Sequence, residues 1–168
     1  DEFRERYLKD GAGVLVGIAW RSENPRIGRD KSLAIAEWGP VAAVPGLRFV
    51  DLQYGNTRAE REAFEKDTGQ ALYHDDSFDQ MEDLDAFAAQ VAALDLVVSV
   101  SNTTVHMAGA LGVPVWVMLP KLPMWRWLAD REDSPWYPSV RLFRQSRRGD
   151  WTDVIERVGR ELAGFVKD

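Results

Sequence analysis

Short runs of β-branched and other apolar residues alternate along this chain with longer Ala-rich or charged stretches, and that alternation leaves few folds open. Returning a chain to a parallel neighbour strand takes a dozen or more residues, usually as a helix. The pattern is therefore that of an α/β fold, a Rossmann-like, mostly parallel sheet with helices on both faces. Six strands are expected. The first, 14–20, is almost continuously apolar, as a strand buried on both faces must be. A polar loop, 21–31, and a helix over 32–44 should follow, with Pro45-Gly46 as the stop. A second strand reads over 47–52, a polar helix over 59–67, a short third strand over 70–73 and a turn over 75–79. Leu84, Phe87, Ala88, Val91, Ala92 and Leu94 recur near helical spacing, so 81–94 is expected to be a helix packed on the sheet. Strands at 96–100, 115–119 and 140–143 complete the sheet. Between and after them lie a helix over 103–111 closed by Gly112, a Pro- and Trp-rich segment over 120–138, and a last amphipathic helix from 150 or 151 to about 166.

A length of 168 residues suits a single domain with one large core. The charged stretch from Asp1 to Asp10 has no apolar centre, so it is no signal peptide and reads as a cut within a longer protein. No apolar run nears the roughly 18 residues of a membrane span, and a cytoplasmic domain is the default expectation. The formal charge of −6 argues against a general surface for nucleic acid or anionic membrane, yet leaves room for phosphate bound locally. There is no cysteine, and His74 and His106 are far apart in sequence, so neither a disulfide nor a zinc set is expected. No metal or other cofactor is anticipated.

Open parallel sheets bind ligands beyond the carboxyl ends of their strands. Residues 101–106 pass from a strand into a helix start, where free N–H groups favour an anion and the hydroxyls of Thr103 and Thr104 add donors. The helix dipole contributes about 0.3–1 kcal/mol and each hydrogen bond to a charged group about 1.5–3 kcal/mol, so several together could hold a diphosphate without metal. Asn102 would equally serve as an ordinary N-cap. His106, in the first turn, could face the anion and is the candidate catalytic group; packing against a neighbouring strand explains it as well. In the loop after the first strand, Arg21 and Lys31 join the phosphate-binding candidates, Lys31 as a point charge beside the next helix, whereas Arg26 and Arg29 read as solvated surface. Gln53, beyond the second strand, could read a base or ribose edge.

Gly11-Ala-Gly13 precedes its strand, and no G-x-G-x-x-G turn follows one, which demotes a nicotinamide-dependent enzyme. Asp83-Leu84-Asp85 has the spacing of a metal-binding Asp-x-Asp, but acidic residues favour the positive end of a helix dipole, and a helix start explains the pair better. Neither a G-x-S-x-G elbow nor a phosphate-binding G-x-x-x-x-G-K-[ST] loop is present.

With these residues assembled, the sequence resembles the carboxyl-terminal half of glycosyltransferase family 9, the ADP-heptose lipopolysaccharide heptosyltransferases, and looks closest to relatives fused to tetratricopeptide repeats. The likeness is strongest over 94–151, in Leu-Asp-Leu-Val-Val-Ser-Val-Ser-Asn-Thr-Thr-Val-His-Met-Ala-Gly-Ala-Leu-Gly-Val-Pro-Val-Trp, in Trp125-Arg-Trp-Leu128 and in Asp133-Ser-Pro-Trp-Tyr-Pro138. The family's Asp-Thr-x-x-x-His element at the sugar-nucleotide site is matched here to Asn102-Thr103-Thr104-Val105-His106, with a neutral amide for the carboxylate. Its lysine near the donor phosphates is matched to Lys31. The resemblance implies one half of a GT-B fold and a missing amino-terminal domain. It implies metal-independent transfer of a sugar from a nucleotide diphosphate sugar to an unknown glycan, lipid or protein acceptor. Trp125, Arg126, Trp127 and Trp136-Tyr137 would belong to the same cleft, stacking on sugar or pairing with phosphate, unless the tryptophans anchor a long loop. Two other functions remain open: a noncatalytic binding or scaffolding module with a degenerate donor pocket, and a nucleotide-sugar epimerase sharing the fold.

Overall fold

The computed structural model describes residues 2–167. Six strands, β1 (Val14–Ala19), β2 (Leu47–Asp51), β3 (Leu72–Tyr73), β4 (Leu96–Val100), β5 (Val115–Leu119) and β6 (Val140–Arg144), pair in parallel in the order β3-β2-β1-β4-β5-β6. β1, β4 and β5 are buried almost throughout, which is why they read as continuous apolar runs instead of alternating ones. The helices are α1 (Glu2–Leu8), α2 (Gly39–Ala42), α3 (Arg58–Thr68), α4 (Leu84–Ala92), α5 (Thr103–Ala110) and α6 (Thr152–Phe165). Alternate strand residues feed two cores. Val16, Ile18, Val98 and Met118 pack with Val41 of α2, Phe64 of α3 and Val158 of α6. Leu15, Val97, Val115 and Val117 pack with Tyr7 of α1, Val91 of α4 and Val105 of α5. The chain reverses its strand order between β1 and β4, so a crevice opens where the loops after these two strands diverge.

Four expected elements change. The helix expected over 32–44 is instead a 3₁₀ turn, Ile35–Trp38, followed by the four residues of α2, with a further 3₁₀ turn, Arg29–Lys31, just before it. Pro40 has no N–H to offer the Ala36 carbonyl, so a continuous helix cannot pass it. The helix expected over 81–94 begins only at Leu84, because Asp83 Oδ1 accepts the Ala86 N–H at 2.9 Å and caps it. The third strand shrinks to two residues at the sheet edge. The amino end, expected only as a cut, forms α1 against α4, where Tyr7 Oη accepts from Gln90 Nε2 at 2.9 Å and Arg6 pairs with Asp75 at 2.7 Å.

At the end of β2, the fully buried Asp51 accepts from Thr57 Oγ1 at 2.5 Å and lies 2.9 Å from His74 Nδ1. It thereby fastens the start of α3 and the segment after β3 to the sheet. Among the described residues, no helix is long and apolar enough to cross a membrane.

Candidate anion-binding site

A cleft of about 340 Å³ opens at the crevice between β1 and β4, lined by Lys31, Arg126, His106, Thr103, Asn102 and Tyr54 among others. Its floor is built by the turn into α5. Asn102 Oδ1 accepts from the Thr104 N–H at 3.1 Å and from Ser99 Oγ at 3.2 Å, while its Nδ2 donates to the Arg21 carbonyl at 3.4 Å. One amide thus caps the helix and ties β4 to the loop beyond β1. That loop is closed on itself. Ser32 Oγ donates to the Gly28 carbonyl at 2.7 Å and accepts the Ser22 N–H at 2.8 Å, and a Cβ on Gly28 would fall 2.2 Å from the Ser22 carbonyl oxygen. Only glycine fits there, and the short 3₁₀ turn that follows delivers Lys31 to the cleft.

Lys31 is only 8% exposed, yet among the described residues no carboxylate pairs with it. Arg126, which also lines the cleft, makes no ion pair among them either; its Nη1 rests against Met124 Sδ at 3.0 Å. Burial, and then the nearby Arg126, lower the Lys31 pKa from its ordinary value. His106 is half-buried, stacked on Trp127 with centroids 5.6 Å apart and planes 13° from parallel, and its Nδ1 lies 3.1 Å from Tyr137 Oη. The Tyr137 ring can lie this close to α5 because residue 109 is glycine; a Cβ there would sit 2.6 Å from the ring. Burial first, then Arg126 and Lys31, push the His106 pKa down, so at neutral pH it is an uncharged ring beside two cations.

The largest cavity, about 360 Å³, lies beside this cleft around Arg29, Arg148, Glu37 and Trp151. Its Arg148 lies 3.9 Å from Asp30, both side chains largely exposed. The smaller cleft is where a buried cation, Lys31, stands without an ion pair among the described residues. An apolar chamber of about 210 Å³, shared at Lys31, Ser101 and Met124, extends it toward Leu119 and Trp127.

Several expected site residues are placed otherwise. Thr104 is 2% exposed and outside the cleft lining, so its hydroxyl adds no donor; one step along a helix turns a side chain by about 100°, from the cleft at Thr103 into the core. Arg21 is committed to Glu60 at 3.3 Å and Glu23 at 2.5 Å, and it does not line the cleft. Gln53 is buried, its Oε1 accepting the N–H groups of Trp20 and Arg21 at 3.1 and 2.9 Å, so its carbonyl is consumed by the backbone and it stays outside the cleft lining. Trp125 is 72% exposed and outside the cleft lining, whereas Trp127 is the anchor, donating from Nε1 to Ser101 Oγ at 2.8 Å. The six-residue family element also needs realignment. Counted back from His106 it begins at Ser101, so its Asp falls on Ser101 and its Thr on Asn102. Tyr137, expected in the cleft with Trp136, reaches it only through His106, whereas Tyr54 escaped the sequence reading, since nothing local marks an aromatic residue that reaches a site through a distant loop.

Sheet order and switch-point crevice together define a Rossmann-like α/β fold, the fold also found in GT-B glycosyltransferases. ADP-heptose LPS heptosyltransferase II of E. coli superposes with a TM-score of 0.67 over 99% of this chain and 52% of its own, at 14% identity. A glycosyl transferase family 9 protein from Veillonella parvula gives 0.62 over 99% and 50%, at 13% identity. UDP-GlcNAc 2-epimerase from Neisseria meningitidis, in a structure bound to UDP-GlcNAc, gives 0.55 over 99% and 40%, at 14% identity. The likeness is one of fold. In sequence, Protein FlbA of Caulobacter vibrioides is 37% identical over 159 residues, which are 94% of this chain and 26% of that protein. The chain thus spans about a quarter of the curated relative it matches and about half of the two transferase structures. No protein-family model matches it.

Proposed function

We propose that this domain holds the diphosphate of a nucleotide-activated sugar and stabilises it as the leaving group in transfer to an acceptor hydroxyl. The observation that carries the reading is Lys31, a buried ammonium that no carboxylate among the described residues pairs, facing a cleft it shares with the equally unmatched Arg126. Burying an unpaired cation is costly, and such groups cluster where a ligand supplies the counter-charge. In the transfer, the acceptor oxygen bonds to the anomeric carbon as that carbon's bond to the phosphate oxygen breaks, and the developing charge falls on the diphosphate. Lys31, Arg126 and the amide and hydroxyl of Thr103 offset that charge without metal. The acceptor's proton goes to a base on a second, facing domain, so this domain alone is expected to bind donor and transfer little.

Calorimetry with ADP, GDP and UDP tests this reading. Saturable binding of at least one is expected, with the matching monophosphate weaker by about tenfold or more, one charge-assisted hydrogen bond being worth about 1.5–3 kcal/mol. If none of them binds, the donor reading fails and a scaffolding module takes its place. Binding should also take up protons in the pH window below about 7, because a dianion raises the depressed His106 pKa back toward its usual value near 6.5. Affinity should therefore rise as pH falls through that window. Without ligand the sign reverses: a histidine held neutral by the fold loses folding stability as pH drops from about 6.5 through its lower folded value. His106→Gln should flatten both dependences, read as buffer-dependent binding enthalpy and as Tm against pH.

A further inference from the structure

Beside the cleft, the segment after β5 presents two indoles to solvent, Trp125 at 72% and Trp136 at 55% exposure. Their centroids are 6.3 Å apart and their planes 89° apart, so they form an open right-angled corner. The backbone beneath is built to hold them out. Trp136 Nε1 donates to the Arg126 carbonyl at 2.9 Å, and Arg144 donates from Nη2 to the Trp127 carbonyl at 2.6 Å and from Nε to the Arg131 carbonyl at 3.3 Å. Leu128 and Asp130 are held at φ of 53° and 55°, conformations that cost a non-glycine residue roughly 1–3 kcal/mol and persist only where the surroundings impose them. A loop whose task was only to cover the core would bury these rings as it buries Trp127.

We propose that Trp125 and Trp136 form a stacking corner for a pyranose ring of a saccharide, on the acceptor side of the donor cleft. The proposal deepens the donor reading and rests on it only for the acceptor role. The two indoles expose on the order of 200–300 Å², the footprint of one or two sugar rings. A stable protein partner needs about 800 Å² on each side, which the corner does not reach even with the exposed Leu122 and Leu128 of the same segment. Sugar rings also match its chemistry, since their C–H faces lie on indole planes while their hydroxyls reach polar groups at the rim. The corner is continuous with the donor cleft through Arg126, whose guanidinium lines the cleft and whose carbonyl holds Trp136.

Maltoheptaose and triacetylchitotriose, titrated into the chain at millimolar concentrations, test the corner by NMR of the seven tryptophan indole N–H groups. The resonances of Trp125 and Trp136 are expected to move saturably with at least one saccharide. Trp125→Ala and Trp136→Ala should each weaken that binding by about 2- to 10-fold, the worth of one aromatic stacking contact, and Trp125→Ala should leave Tm and ADP affinity unchanged. Failure of both saccharides to move either resonance overturns the proposal, as do shifts that survive both substitutions. Concentration-dependent self-association that Trp125→Ala abolishes overturns it too, by giving the corner to a second copy of the chain. Saccharide binding in a chain that ignores every nucleoside diphosphate supports the corner while removing the donor reading.

Discussion

Lys31→Met should raise the melting temperature of this domain while weakening its hold on nucleoside diphosphates about 10- to 100-fold, the worth of one hydrogen bond to a charged group. The two effects share one cause. The folded-state pKa of Lys31 lies below its ordinary value, so protonating the amine costs the folded chain more than the unfolded one, and that cost is present at every pH below the ordinary value, neutrality included. Methionine has a similar shape and removes the buried charge. The gain falls within the range typical of single stabilising changes, about 0.5–2 kcal/mol. In a chain of this size it appears as a rise of roughly 2–6 °C. Scanning calorimetry of the free chain and titration with ADP read the two halves separately. A lowered Tm would mean that Lys31 has a structural partner, and an unchanged affinity would mean that the cleft is not where diphosphate binds. Arg26→Ala, in the same loop but outside the cleft lining, should change neither.

Sequence conveyed the sheet well and the cleft only in part, for a physical reason visible in single residues. A strand buried on both faces must be apolar at every position, so β1, β4 and β5 announce themselves. Lys31 and Thr103 were legible because a strand-loop-helix context places them at the crevice whatever else the chain does. Arg21, Gln53 and Thr104 have the right chemistry at nearly the right place, and what separates them from the site is partnership. Glu60 claims Arg21, two backbone amides claim Gln53, and the core takes Thr104. Such claims come from residues up to about 40 positions away and leave no local trace. The same holds for the tryptophans. Trp125 and Trp127 are two residues apart on a tight turn, and it is the hydroxyl of Ser101 and the ring of His106, both distant in sequence, that hold Trp127 inward.

Trp127→Ala is accordingly expected to be the most damaging single change near the site, costing about 3–5 kcal/mol of stability. The side chain is 1% exposed and its N–H bond to Ser101 fixes the segment after β5 against the end of β4. Its face supports His106, and the carbonyl of the same residue is held by Arg144. Removing the ring opens a void beneath His106 and frees the turn that aims Arg126, so diphosphate affinity should fall together with Tm. Trp127→Phe separates the contributions. It keeps most of the packing and the support for His106, but leaves the Ser101 hydroxyl without its donor, a loss of about 1–3 kcal/mol. Urea denaturation should thus rank wild type above Phe and Phe above Ala, with diphosphate affinity near wild type for Phe and lost for Ala. An Ala variant that unfolds within about 1 kcal/mol of wild type would show that the segment is held elsewhere, since a buried tryptophan that supports its surroundings cannot be deleted so cheaply.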